Sequence, residues 1–324
     1  MSQPVIYNKQ KKKGERNTLK TVLDVFIIIM VAIVTFIVFK MTTVKTENQE
    51  RNNPEVVSET ATEDIEEEEK IDLAPVISSW MNYTMTDTKQ AVVVYDLDND
   101  RVLGELNADQ VFQMESLYKL LVVYEGYRRI ENGSLNPDEE SVGGKTVLQC
   151  LDLAIRESNS DCAENILEKL GGEAALDQIV QREWGLQKTS VSELDTTAND
   201  MIKMLKIVFQ SKGVGEGNAK RLKDSMLNQG SLGGEAMCEK NDCDLRQGLP
   251  RGFSDVSSKV YDKVGWRWDG GTWLNFNDVA IVEYPQYKRN FAIVVLTSLF
   301  GSKDKITELG GLVDEALLAY LRYE

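Results

Sequence analysis

The stretch VFQMESLYKLLVVYEGY, residues 111–127, combines a helical pattern with a Ser-x-x-Lys pair. Apolar residues recur at helical spacing over residues 116–130, which predicts the first strong helix of the chain. Ser116 at the start of this helix and Lys119 one turn later share a face, because residues three apart are neighbours on a helix. The pair is a candidate nucleophile and base, with an N-cap serine beside a solvated lysine as the structural alternative.

The surroundings of this pair indicate how it would react. A helix N-terminus favours negative charge that develops on the serine oxygen. The apolar neighbours Leu117, Leu120 and Leu121 disfavour a protonated amine, which lowers the pKa of the lysine towards that of a usable base. Acid–base chemistry must in any case come from residues other than histidine, because the 324-residue chain contains none.

The absence of histidine and the overall charge exclude several classes of function. Without an imidazole, Ser-His-Asp and Cys-His catalysis, HExxH zinc sites and most imidazole metal centres are excluded. We therefore expect no metal and no other cofactor. The formal charge of −15 argues against a nucleic-acid binder, which needs clustered lysine and arginine.

The first 72 residues predict a membrane anchor and a spacer. Residues 1–20 form a basic cytoplasmic tail, and residues 21–39 form an apolar run that spans roughly 28 Å as a helix, close to the thickness of a hydrocarbon core. Residues 40–72 form an acidic, disordered tether with too little apolar surface to fold. The basic flank predicts a single-pass protein of the cell membrane, whose remaining residues lie outside the cytoplasm. A cleaved signal peptide is the alternative, although the apolar run is long for one.

Residues 73–324 are predicted to form one folded domain. Strand patterns come at both ends of this domain, at residues 91–95, 101–106, 279–283 and 291–297. Helical patterns occupy residues 147–156, 162–170, 173–183 and 198–210, and a final one covers about 303–322. Terminal strands around a central helical block predict an α+β fold, in which a sheet packs with helices beside an all-α part.

Four cysteines fall into two local pairs, Cys150 with Cys162 and Cys238 with Cys243. An even count at close spacing is typical of disulfides in an oxidising compartment. Zinc binding is the alternative, although the spacings lack the CxxC form of common zinc sites. The pairing itself stays open at this point, because the sequence does not determine the Cα separations.

Two further motifs follow the Ser-x-x-Lys pair in the order that serine acyl transfer requires. SNS, residues 158–160, lies between two predicted helices, and DKVG, residues 262–265, follows LPRGFSDVSSKVY. With LDTTANDMIKML and RQGLPRGFSDV, these motifs make residues 76–320 resemble the serine penicillin-recognising family, in its class A β-lactamase-like and D,D-peptidase (penicillin-binding protein) branch. The resemblance implies a β-lactamase/transpeptidase-like fold, with an antiparallel sheet flanked by helices and an all-α subdomain, here preceded by a single transmembrane helix.

The resemblance also implies the roles of four catalytic residues. Ser116 matches the acylated serine, and Lys119 matches the base or proton relay beside it. Ser158 matches a proton shuttle towards the leaving nitrogen. Lys263 matches the first residue of the family's Lys-Thr-Gly motif, where the lysine steers the substrate carboxylate.

Four further residues match substrate-binding positions, and two of them depart from the family pattern. Gly265 matches the glycine of Lys-Thr-Gly, and Trp266 follows it with a backbone N–H that would complete an oxyanion hole. Ser160 stands where the family has an asparagine that holds the substrate amide. Val264 replaces a hydroxyl residue, which removes a hydrogen bond to the substrate carboxylate worth roughly 1.5–3 kcal/mol.

The segment at residues 185–196 is a third departure from the family pattern. It is too short for the long loop that presents the deacylating glutamate of class A β-lactamases, and Glu193 is its one candidate for that role. Without such a base, water is poorly activated, and we expect an acyl-enzyme to persist.

Three functional hypotheses follow from this resemblance. The first is a membrane-anchored serine acyl-transfer hydrolase that acts on β-lactams or on peptidoglycan stem peptides ending in D-Ala-D-Ala. The second is a true β-lactamase that hydrolyses the antibiotic. The third is a degenerate, non-catalytic peptidoglycan-binding or scaffold domain. The expected partners are therefore a β-lactam or a stem peptide and, through the N-terminal helix, the membrane.

Overall fold

A five-stranded antiparallel sheet lies at the centre of the structure, which is a computed structural model. Its strands are β1 (Lys89–Asp96), β2 (Arg101–Leu106), β5 (Lys259–Asp269), β6 (Thr272–Tyr284) and β7 (Arg289–Ser298), in the order β2-β1-β7-β6-β5. All neighbouring strands of this sheet pair in antiparallel fashion. A short separate ladder joins β3 (Phe112–Gln113) to β4 (Asp195–Thr196).

Helices cover both faces of the sheet. One face carries α1 (Ala74–Asn82), α8 (Leu249–Gly252) and α9 (Lys303–Leu321). The other face carries a block of consecutive helices: α2 (Tyr118–Glu131), α3 (Val147–Arg156), α4 (Ser160–Lys169), α5 (Glu173–Arg182), α6 (Ala198–Phe209) and α7 (Glu216–Leu227). The predicted α+β fold, an antiparallel sheet flanked by helices with an all-α part, is confirmed.

Alternation along the strands produces two hydrophobic cores. Successive side chains of a strand point to opposite faces of its sheet. In β1, Val93 packs with the block α2–α7, and Val92 packs with α1, α8 and α9. In β6, Val279 packs with the block α2–α7, and Ala280 packs with α1, α8 and α9. The sheet is therefore buried on both faces, and an open site must lie at an edge or between the block and the sheet.

The structure describes residues 71–82, 89–230, 245, 248–254, 256–269, 272–298 and 303–323. The predicted tail, the apolar run at residues 21–39, almost all of the tether and the pair Cys238 and Cys243 lie outside these residues. Within the described part of the chain, no helix combines the length and the apolar character that a bilayer crossing requires.

The predicted elements are confirmed, with changes at their ends. The helix expected from residue 116 begins at Tyr118, because Glu115–Leu117 form a 3-10 turn. The helix expected from residue 162 begins at Ser160, where the side chain of Asn159 caps it. The periodicity does not predict α1 or α7, because α1 is short and α7 buries few side chains, namely Leu222, Ser225 and Met226.

Candidate active site

Ser116 lies in the 3-10 turn Glu115–Leu117, which leads directly into α2. Glu115 has a φ of 50°, in the left-handed region that non-glycine residues rarely adopt. The turn is held from one side by the amide of Met114, which donates to the carbonyl of Leu194 at 2.6 Å. The residue Ser116 is 8% exposed and lines a cleft. The local backbone thus holds a serine at a defined point in the wall of an open site.

The cleft beside Ser116 has a volume of about 630 Å³. It lies between the helical block and β5. Besides Ser116, its lining includes Lys119 from α2, Ser160 and Glu164 from α4, and Trp266 and Arg267 from β5. The sequence motifs therefore meet around a space that can hold a ligand of moderate size.

Lys119 is almost enclosed, with 1% of the residue exposed. Its Nζ donates to the carbonyl of Ser158, to Ser158 Oγ at 3.3 Å and to Ser160 Oγ at 3.0 Å. Burial lowers the pKa of Lys119 to about 8, and the negative charge of Glu164 opposes this shift. The amine can therefore lose its proton near neutral pH, and within the described residues it is held by the SNS turn rather than by a hydrogen bond to Ser116.

The hydroxyl of Ser158 lies between two lysine amines. Its Oγ is 3.3 Å from Lys119 Nζ and 3.1 Å from Lys263 Nζ. Ser158 has a φ of 52° in the turn between α3 and α4, and Asn159 Oδ1 accepts from the next helix at the amide of Cys162. Because a hydroxyl both donates and accepts, this group can carry a proton between the amines and a leaving nitrogen.

The strand β5 places Lys263 and Val264 away from the cleft. Lys263 is fully buried and also donates to its neighbour's carbonyl, Val264 O, at 2.7 Å. Burial, and then the charge of Lys119, lower the pKa of Lys263 well below its ordinary value. Val264 was predicted beside the substrate, but its side chain packs in the core on the other face of the sheet, because adjacent strand residues point in opposite directions. The arrangement therefore aims the Lys263 amine at Ser158 rather than into the open cleft.

Gly265 and Trp266 bring β5 against the nucleophile turn. A Cβ at Gly265 would lie 2.4 Å from the carbonyl oxygen of Met114, which is closer than real Cβ contacts come. Only glycine therefore permits this approach of strand and turn. Trp266 lines the cleft, and its ring packs edge-on against Phe276 at a centroid distance of 5.5 Å.

The segment between α5 and β4 forms another part of the cleft wall. Asp177 of α5 accepts from the amide of Val191 and from the hydroxyl of Ser192, which fixes the segment's course. Ser192 and Leu194 line the cleft, whereas Glu193 is exposed and lies outside the lining. The segment thus provides a wall, and the candidate role of Glu193 in deacylation has no support in this geometry.

Four charged residues that line the cleft are missing from the sequence-based predictions: Glu115, Glu164, Glu173 and Arg267. For two of these residues, the spacing from a predicted site residue indicates a position facing the cleft. Glu164 lies four residues after Ser160 on α4 and so shares its helical face. Arg267 lies two residues after Gly265 on β5 and so points to the same side of the strand. Nothing in the sequence indicates that Glu173, at the start of the next helix, faces the same cleft.

A disulfide joins Cys150 of α3 to Cys162 of α4. Both residues are fully buried. The two helices flank the SNS turn, so the bond ties together the elements that hold Ser158 and Ser160.

A family model described as the beta-lactamase enzyme family matches residues 73–317. This chain belongs to that family. Its sequence resemblance to the serine penicillin-recognising family is thereby confirmed, and the chain is a serine hydrolase. Membership favours the two enzyme hypotheses over a purely binding or scaffold domain.

Solved structures with the fold of this beta-lactamase family member include an ancestral enzyme and a penicillin-binding protein. An ancestral class A β-lactamase, that of the last common ancestor of Gram-negative bacteria, matches with a TM-score of 0.63 at 21% identity, over 76% of this chain and 100% of that one. The structure of PBP-A matches with a TM-score of 0.63 at 18% identity, over 77% and 98% of the two chains. At these identities the likeness shows the fold. A search of curated protein sequences gives no match.

Two buried carboxylates lie on the sheet face opposite the cleft in this beta-lactamase family member. Asp262 of β5 and Asp278 of β6 are diagonal neighbours, since Asp262 pairs with Ala280 and Asp278 with Val264. Asp278 accepts from the amide of Leu249 at 2.8 Å, but its other oxygen has no hydrogen-bond partner among the described residues. Burial raises the pKa of Asp278 to about 7, and burial together with the charge of Asp278 raises that of Asp262.

We expect Asp278→Asn to stabilise the protein more at pH 8 than at pH 5. Because its folded-state pKa is raised from 3.8 to about 7, Asp278 binds a proton more strongly in the folded than in the unfolded chain. The wild-type free energy of unfolding therefore falls as pH rises between these values, and asparagine removes that loss. The difference between variant and wild type should grow by roughly 1–3 kcal/mol from pH 5 to pH 8. Urea unfolding at both pH values measures it, and a constant difference would contradict the assignment.

Proposed function

We propose that this chain is a membrane-anchored, extracytoplasmic acyl-transfer hydrolase that forms an acyl-enzyme on Ser116 with β-lactams or with peptides ending in D-Ala-D-Ala. One observation carries the proposal. Ser116 and a lysine with a lowered pKa, Lys119, line one cleft, and a hydroxyl shared by two amines lies beside them. A nucleophile, a base and a proton-carrying hydroxyl are the groups that an acyl transfer without histidine requires.

In the proposed steps, Lys119 first accepts a proton from Ser116 and later returns one through Ser158. Lys119 as a free amine takes the proton of Ser116, whose oxygen bonds to the carbonyl carbon of the amide. The backbone N–H groups of Ser116 and Trp266 would stabilise the negative charge on the carbonyl oxygen. The C–N bond then breaks, and the Ser158 hydroxyl delivers a proton to the leaving nitrogen while it recovers one from Lys119, 3.3 Å away. The products are the ester on Ser116 and a free amine.

The choice of acyl donor rests on the family and on one related structure. A mutant of PBP-A has been solved as an acyl-enzyme complex with penicillin G, and it matches this chain with a TM-score of 0.63 at 18% identity over 77% of this chain and 98% of that one. β-Lactams and D-Ala-D-Ala peptides offer the same arrangement of an amide beside a free carboxylate. In this chain, the short segment at residues 185–196 brings no carboxylate into the cleft, which supports a long-lived acyl-enzyme.

The anchored location rests on the sequence alone. The basic tail at residues 1–20, the apolar run at residues 21–39 and the acidic spacer after it support a domain that is held at the outer face of the membrane and reaches the cell wall. The full chain should stay with membranes through alkaline carbonate washing. Recovery of the full chain in the soluble fraction would rule out the anchor. It would leave the acyl-transfer proposal unaffected.

Intact-mass measurement of the purified full chain with a penicillin tests the acyl-transfer proposal. We expect a gain of one penicillin mass, located by peptide mapping to the fragment that contains Ser116. The adduct should persist over many minutes. A chain that gains no mass, or that carries the adduct elsewhere, would refute the proposal.

The carboxylate of Glu164 favours a second candidate function, β-lactam hydrolysis. It lines the cleft with Ser116, and its charge acts on Lys119. A carboxylate in this place can accept a proton from water that attacks the acyl-enzyme. Rapid turnover of a chromogenic cephalosporin by the wild-type chain would favour this candidate over a persistent adduct.

We expect Glu164→Gln to shift the pH dependence of acylation to lower pH. The negative charge of Glu164 raises the pKa of Lys119, so its removal makes the free amine available at lower pH. If Glu164 also activates water, the adduct should live roughly 10²–10⁴-fold longer in this variant. Stopped-flow acylation and adduct decay measure the two effects separately.

Glu168→Gln is the matched control. Glu168 is also an exposed glutamate of α4, but it does not line the cleft. Its substitution should leave both measurements at the wild-type values. An unshifted pH profile in Glu164→Gln would show that its charge does not reach Lys119.

A further inference from the structure

The SNS turn, residues 158–160, holds Ser158 in a conformation that a serine does not favour. Ser158 has a φ of 52°, in the left-handed region that residues other than glycine rarely adopt. Such a conformation persists only where the surrounding structure constrains the backbone. The turn therefore depends on contacts outside itself for its shape.

The side chain and the carbonyl group of Ser158 both contact amines. The carbonyl accepts from Lys119 Nζ, and Oγ lies 3.3 Å from Lys119 Nζ and 3.1 Å from Lys263 Nζ. A change in φ rotates the side chain and the carbonyl group together about the N–Cα bond. Relaxation of this one angle would therefore displace both sets of contacts.

Hydrogen bonds attach the turn to the ends of two helices. The amide of Asn159 donates to the carbonyl of Leu153 on α3 at 3.2 Å. The side-chain Oδ1 of Asn159 accepts from the amide of Cys162 on α4 at 2.8 Å. The shape of the turn is therefore set by where α3 ends relative to where α4 begins.

The Cys150–Cys162 disulfide fixes α3 relative to α4. The two cysteines are fully buried, and their Cα atoms lie 4.8 Å apart. Cys162 is also the residue whose amide donates to Asn159, so a single hydrogen bond connects the crosslink to the turn. A link between residues 12 apart restricts the unfolded chain less than a link across a long loop. Its loop encloses the turn that carries Ser158, and the bond therefore restricts that turn directly.

We propose that the Cys150–Cys162 disulfide positions the Ser158 hydroxyl for the transfer of its proton to the leaving nitrogen. This inference rests on the proposed acyl transfer at Ser116. Cys150 and Cys162 are positioning residues, because they act through Ser158 and touch neither the acyl donor nor the reacting atoms. Without the bond the turn relaxes, and acyl transfer slows for donors whose leaving group needs that proton.

The first test compares two acyl donors on the full chain and on Cys150→Ala/Cys162→Ala. The leaving nitrogen of a penicillin must be protonated, whereas p-nitrophenyl acetate releases a phenolate that departs as an anion. With the penicillin, we expect the acylation rate to fall roughly 10–100-fold, since a displacement of about 1 Å costs about 100-fold. With the ester, the two rates should agree within about twofold, because no proton transfer to the leaving group is needed. Intact-mass kinetics and p-nitrophenol release measure the rates, and Ser116→Ala gives the background.

A Ser158→Ala background separates positioning from general stabilisation. If the disulfide acts through the Ser158 hydroxyl, its removal should leave the penicillin rate of Ser158→Ala unchanged. Val208→Ala is the matched control for lost stability, because it removes two buried methyl groups from α6 in the same core. It should lower the melting temperature and leave both acylation rates at the wild-type values.

Asn159→Ala is a second variant, which keeps the disulfide and removes its hydrogen bond to the turn. It should slow acylation by the penicillin and not by the ester. The same comparison therefore tests the inference if the cysteine variant does not fold.

An equal loss with both donors, or the same loss in the Ser158→Ala background, would show that the disulfide only maintains the fold and would overturn its positioning role. Wild-type rates in the disulfide-free variant, or in Ser158→Ala itself, would also overturn that role and leave acyl transfer at Ser116 intact. If the wild-type chain forms no adduct with the penicillin, acyl transfer fails and the positioning role fails with it.

Discussion

Replacing Lys119 with methionine is expected to slow the acylation of Ser116 roughly 10²–10⁴-fold, the usual contribution of a positioned acid or base. Methionine keeps most of the volume of this nearly enclosed side chain but removes the amine. The chain has no histidine to replace the lost base. Intact-mass kinetics with a penicillin measure the acylation rate. The variant Ser116→Ala lacks the nucleophile and gives the background signal.

Lys119→Arg distinguishes a base from a mere positive charge. Arginine keeps the charge and the donors towards Ser158 and Ser160, but it does not lose its proton in proteins. We expect it to be as slow as methionine. Acylation at the wild-type rate in Lys119→Arg would show that the charge alone matters and that another group removes the proton from Ser116.

The pH dependence of the wild-type rate provides an independent readout of the same group. Because the pKa of Lys119 is lowered to about 8, the fraction of free amine rises about tenfold per pH unit below that value and levels off above it. The acylation rate should follow this curve. In Lys119→Met, the residual rate should lose this dependence.

Gly265→Ala is expected to lower the acylation rate at least about 100-fold by moving β5 away from the nucleophile turn. The added Cβ would meet Met114 O at 2.4 Å and Leu117 Cγ at 2.8 Å. A backbone carbonyl cannot give way cheaply, so the strand must shift. A displacement of about 1 Å in an active site costs roughly 100-fold in rate, and overpacking costs about 1–3 kcal/mol in stability.

Gly217→Ala is the control for the addition of a methyl group to a glycine. Gly217 lies in the first turn of α7, and nothing lies within 4 Å of a Cβ built there. Alanine should leave acylation unchanged and raise stability by roughly 0.5–1 kcal/mol, since it is the better helix former. Wild-type acylation in Gly265→Ala, with an unchanged melting temperature, would contradict the close approach of strand and turn.

Local periodicity was sufficient to predict most of the regular structure. Four strands of the central sheet, β1, β2, β6 and β7, and the helices α3 to α6 and α9 lie where alternation and helical spacing indicate, whereas no such pattern predicts β5. The elements that were not predicted are those that the local sequence pattern does not determine. The β3–β4 ladder is two residues long on each side and exists because distant segments meet next to Ser116.

The residues of the candidate site divide in the same way. Ser116, Lys119 and Ser158 are recognisable from motifs, and they meet around one cleft. Glu164 and Arg267 belong to no motif, and they line the cleft because α4 and β5 face each other across it.

The sequence by itself determined the fold class, the candidate nucleophile and the exclusion of imidazole chemistry, because these depend on residue type and on spacing along the chain. Only the tertiary structure decided that Lys263 is enclosed, that Val264 faces the core and that Arg267 reaches the ligand space. Exposure and pKa depend on which distant segments surround a side chain, and one-residue steps along β5 change the face of the sheet on which a side chain lies.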